Sequence, residues 1–102
     1  MPDYPLLPIY YTDRSVADLL NIKGYILKYF TQKEVNRLYV MLQSFEKVVA
    51  AFPELYPTSI KSNKIHRAVL SKQLSVFYRV SKDKISVVAI IDNRMSYAKW
   101  PS

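Results

Sequence analysis

The chain has 102 residues, half of them apolar, with no cysteine and one histidine. That length suits a single domain over residues 1–102 with one two-layer core. The composition excludes disulfides, thiolate metal sites, cysteine nucleophiles and histidine-rich zinc sites. The net charge is +7 and lies in one half: residues 1–60 hold six Lys/Arg and six Asp/Glu, residues 61–102 hold nine and two, and 9 − 2 is the whole excess. Such a localised basic surface predicts an acidic partner, nucleic acid or an acidic protein segment, beside the plainer reading of a solvated face. The N-terminal MPDYPLLPIYY is acidic and broken by proline before a signal-peptide core can form. No apolar run approaches the ~20 residues that cross a bilayer. A cytoplasmic protein with no membrane partner is expected.

In chain order, Ile9 to Tyr11 reads as a short strand, and Thr12 and Asp13 are N-cap types. Val16, Leu19, Leu20, Ile26, Leu27 and Phe30 recur at helical steps and predict a first helix. Thr31-Gln32-Lys33-Glu34 matches a capping box and predicts the start of a second. Val35, Leu38, Leu42, Phe45, Val49 and Phe52 then form one apolar stripe, and Pro53 stops the helix. The two helices, about 14–52 together, join almost without a loop and should form an antiparallel hairpin.

Residues 53–63 read as a loop. Strands are expected at about 65–71, 74–81 and 84–91, an antiparallel meander within about 65–91. Period two puts Leu74, Val76, Tyr78 and Val80 on one face and Ser75, Phe77 and Arg79 on the other. The first face should pack on the helices, and the second, with a cation and an aromatic, is the expected working face. Ile85–Ile91 is apolar on both faces and should lie inside the sheet. Arg94 follows it. The fold class is therefore α+β: a short N-terminal strand and an αα-hairpin packed on a C-terminal antiparallel sheet.

This order of elements, with Phe52-Pro53-Glu54, Arg67-Ala68-Val69-Leu70, Phe77-Tyr78-Arg79-Val80, Ile91-Asp92-Asn93-Arg94 and Lys99-Trp100, resembles the RelE/ParE family of bacterial type II toxin–antitoxin (plasmid stabilisation) systems. The resemblance covers about residues 9–100. It implies a small cytoplasmic toxin that arrests growth unless a cognate antitoxin covers it. RelE-like members cut ribosome-bound mRNA without a metal or cofactor; ParE-like members act on DNA gyrase.

A metal-free ribonuclease needs groups that take a proton from the ribose 2′-OH, offset phosphate charge and protonate the leaving oxygen. Where the family presents two lysines on the first sheet strand, this chain has His66 and Ala68; where it presents an arginine, Ser75; where it presents the C-terminal tyrosine, Trp100. Arg94 is kept. The resemblance leaves Arg94, His66, Arg79 and Tyr97 as candidate catalytic residues. Lys61, Lys64, Arg67, Lys72 and Trp100 are candidate partner or nucleic-acid contacts; the plainer reading is that the four cations are solvated and that Trp100 pins the C-terminus to the sheet. The losses favour a ParE-like binding toxin over a RelE-like endoribonuclease, with an inactive or non-toxic basic binding module on the same fold as a further reading.

Overall fold

The computed structural model describes residues 6–92 and Pro101. Its elements are β1 (Ile9–Tyr11), α1 (Asp13–Tyr29), α2 (Gln32–Ala51), β2 (Thr58–Ser59), β3 (Ser62–Val69), β4 (Leu74–Val80) and β5 (Ile85–Asp92). The five strands form one sheet in the order β1-β5-β4-β3-β2. The meander β2 to β5 is antiparallel, as expected, but β1 lies parallel to β5, so the sheet is mixed. The segment expected to be loop from 53 to 63 holds β2 and the start of β3. Two residues of pairing are too few for period two to register in a sequence.

The first helix starts where the cap chemistry places it. The Thr12 hydroxyl accepts from Ser15 N at 3.2 Å, and Ser15 Oγ donates to Thr12 O at 2.8 Å. Thr12 N in turn donates to Val87 O at 3.0 Å, which ties the cap to β5. The second helix does not use its capping box. Thr31 makes no side-chain cap bond, Glu34 N donates to the Thr31 carbonyl, and the Glu34 carboxylate faces Arg37 at 3.4 Å instead. The guanidinium one turn on competes for the carboxylate that the box requires.

The α2 stripe is buried from Val35 to Val49 as its spacing predicts; Phe52, its last member, stays exposed past the helix end. In α1 the inward side is Leu19, Ile22 and Ile26, while Val16, Leu20, Leu27 and Phe30 are exposed. The inward side is set by Ser15, fully buried, and by Asp18, whose carboxylate accepts from Ile90 N at 3.0 Å.

The main core lies between the helices and one sheet face: Leu38, Leu42, Phe45 and Val49 meet Leu74, Val76, Tyr78, Ile85, Val87 and Ile90. Full burial of such side chains contributes roughly 1.5–3 kcal/mol each. The phase of β5 changes midway. Tyr78 pairs with Val87 but Phe77 pairs with Ala89, so Val88 is an extra residue in a bulge. Ile85 and Val87 face the helices before it, and Ile90 after it, which is why this strand shows no clean alternation.

Candidate functional site: the second face of the sheet

The face turned away from the helices is built from Arg67 and Val69 on β3, Ser75, Phe77 and Arg79 on β4, and Ser86, Ala89 and Ile91 on β5, as the pairing register requires. Its centre is apolar and covered: Ile65, Phe77, Ala89 and Ile91 form a second cluster, each at most 1% exposed, with Val88 beside it. Phe77 is therefore a floor, not an exposed stacking platform.

Two guanidinium groups flank that floor. Arg67 pairs directly across from Phe77, and its Nε donates to Ser75 Oγ at 3.1 Å. Ser75 is fully buried, so this bond orients Arg67 from a fixed point on the neighbouring strand. Arg79 stands two residues along β4 from Phe77 on the same face and is exposed. A planar guanidinium group suits phosphate or carboxylate recognition.

His66 and Ala68 lie on the opposite face from Arg67 and Arg79. Ala68 is in the main core. The imidazole of His66 is almost buried, stacked on the Tyr78 ring at 5.0 Å and 16°. Its Nδ1 lies 2.7 Å from the Tyr56 carbonyl, which can only accept, so Nδ1 carries a proton. Nε2 faces Glu54 at 3.4 Å. Tyr78 Oη donates to Pro53 O at 2.9 Å, and burial pushes its hydroxyl well above the usual tyrosine range. His66 and Tyr78 thus pin the α2–β2 connection to the sheet. Pairing His66 with Arg79 as candidate catalytic groups is not supported by their placement. The position facing Ser75 and Phe77 belongs to Arg67, one residue along, and the cross-strand pairing of Arg67 with Phe77 identifies it.

The remaining candidates divide by place. Lys61 and Lys64 lie in the β2–β3 hairpin, and Lys72 in the turn between β3 and β4; by strand period Lys64 shares the face of His66 rather than that of Arg67. Arg94, Tyr97 and Trp100 lie outside the described residues. Among the described residues, no helix is long and apolar enough to cross a membrane.

No family model matches the chain, and no curated protein matches it. Solved structures do. A chain titled "Chromosomal ParDE TA system from P. aeruginosa" superposes with a TM-score of 0.69 at 15% identity, covering 85% of this chain and 96% of that one. The protein HP0894 from Helicobacter pylori superposes at 0.56 with 13% identity, covering 86% and 96%. In element order, sheet arrangement and extent, this chain has the RelE/ParE-type toxin fold.

Proposed function

We propose that this chain is the toxin of a type II toxin–antitoxin pair, and that it acts by binding, as ParE-like toxins do on gyrase, rather than by cutting mRNA. The toxin reading is supported by the fold, shared along 85% of the chain with a member of a ParDE system. The binding reading is carried by one observation: the imidazole that a nuclease reading would use as base is turned into the helix side of the sheet, against Tyr56 O and Tyr78. The described part of the other face offers Arg67, Arg79 and Ser75, groups that recognise anions but are poor proton acceptors near neutrality. An antitoxin with an acidic segment fits the cations from Lys61 to Lys72, since opposite potentials steer such partners together. The toxin would act in the cytoplasm.

The test is expression of the chain alone in a bacterial host, with growth, mRNA 5′ ends and plasmid supercoiling followed together. Arrest with altered supercoiling and no codon-clustered 5′ ends is expected, and Arg67→Ala should relieve it. New 5′ ends at one codon position would instead establish a ribosome-dependent endoribonuclease. Unimpaired growth would point instead to an inactive or non-toxic binding module.

A further inference from the structure

The outward side of α1 carries a second, unused pattern. Ala17, Leu20, Gly24 and Leu27 are all exposed, Leu20 at 59% and Leu27 at 45%. Their 3-4-3 spacing places them on one stripe, opposite Ser15, Leu19, Ile22 and Ile26. Gly24 is not required by the chain itself. Its φ is not positive, and a Cβ there would meet nothing within 4 Å. A glycine inside a helix lowers stability and earns its place where another backbone or side chain comes close.

We infer that this stripe is a self-association surface on which α1 of a second copy packs antiparallel. The sequence of side-chain sizes fits its own reverse. With the two-fold axis between residues 20 and 24, Leu20 seats over Gly24 of the second copy and Ala17 faces its Leu27. Each large side chain meets a small one, as an isologous interface demands. The charges agree with that direction. Asp13 opens α1 and Lys28 lies in its last turn, both exposed. An antiparallel dock brings the acid of one helix to the cation of the other and opposes the helix dipoles; a parallel dock brings like to like. A contact about two heptads long buries less than a standard interface of about 1,200–2,000 Å², so the dimer is weak and concentration-dependent. This inference does not rest on the toxin reading.

Sedimentation equilibrium of the purified chain, from low micromolar to several hundred micromolar, tests it. A reversible monomer–dimer equilibrium is expected. Gly24→Gln fills the seat of the second copy's Leu20 and should weaken the dimer by about tenfold or more while raising Tm, because glutamine is the better helix former. Leu20→Gln should weaken it comparably from an exposed position. Asp13→Lys and Lys28→Asp should each weaken association, and the double reversal should restore it; restoration reads the antiparallel direction. A chain that is monomeric at every concentration, or a dimer unchanged in Gly24→Gln and Leu20→Gln, overturns the inference.

Discussion

Replacing Tyr78 by phenylalanine isolates one hydroxyl. The ring is fully buried and would stay in place, against Phe45 at 5.6 Å and stacked with His66. What is lost is the bond from Tyr78 Oη to Pro53 O at 2.9 Å. A neutral hydrogen bond contributes about 0.5–1.5 kcal/mol net, and a stranded buried acceptor costs about 1–3 kcal/mol. Pro53 is half-buried, so water reaches its carbonyl in part, and we expect a loss of roughly 1–2 kcal/mol. For a domain of this size that lowers Tm by about 5–10 °C. Urea unfolding should show a lower midpoint with an unchanged slope. The alkaline limb gives an independent reading. The hydroxyl of folded Tyr78 is held above the usual range by burial, whereas in the unfolded chain it ionises near pH ~10. Below that pH the folded-state preference contributes fully; above it the unfolded chain gives up a proton that the folded chain keeps. Stability of the wild type therefore falls by up to about 1.4 kcal/mol per pH unit for this group. Tyr78→Phe lacks that component, so the gap between the two proteins narrows above pH ~10. A variant within about 0.3 kcal/mol of wild type at neutral pH, with a parallel alkaline limb, would refute the assignment.

Other substitutions test the remaining links. His66→Asn keeps an N–H near the Tyr56 carbonyl but loses the stacked ring; it should destabilise by about 1–2 kcal/mol in thermal melts and leave growth arrest intact at matched protein levels. Asp18→Ala strands the Ile90 amide at the bulge and should cost about 1–3 kcal/mol, with faster hydrogen exchange at Ile90 than in Asp18→Asn. Thr31→Ala should cost less than about 0.5 kcal/mol in denaturant unfolding, where a working capping box would cost about 1 kcal/mol. Tyr11→Phe removes the hydroxyl that donates to Glu46 Oε2 at 2.5 Å. Burial first, and that carboxylate second, raise the Tyr11 pKa, so this variant too should lose part of the alkaline destabilisation seen above pH ~10.

The α2 stripe was legible because five buried positions at helical spacing leave no other period. The β4 faces were legible because Leu74, Val76, Tyr78 and Val80 alternate with polar or charged neighbours at all but one position. Three features were not. The side α1 buries is set by Asp18 reaching Ile90, a contact 72 residues apart in sequence; its apolar residues run round most of the helix and do not choose a side. The Val88 bulge is invisible in a strand that is apolar on both faces, since no polar residue marks the change of phase. In β3, Lys64 to Val69 carry cations in both phases, so the sequence does not say whether His66 or Arg67 shares a face with Phe77; only the pairing of Arg67 with Phe77 settles it.

The parallel pairing of β1 with β5 has a consequence for synthesis. Ile9 is matched with Ile85, so the first of the described strands waits for the last of them. The helical hairpin and β1 can be made early, but β1 has no partner until residues 85–92 have left the ribosome. Contacts of such separation slow folding and leave it incomplete in shorter chains. A fragment ending before β5 lacks the neighbour of both β1 and β4. Nascent and truncated chains therefore lack the assembled sheet face, and whatever that face does begins only after translation of this region is finished.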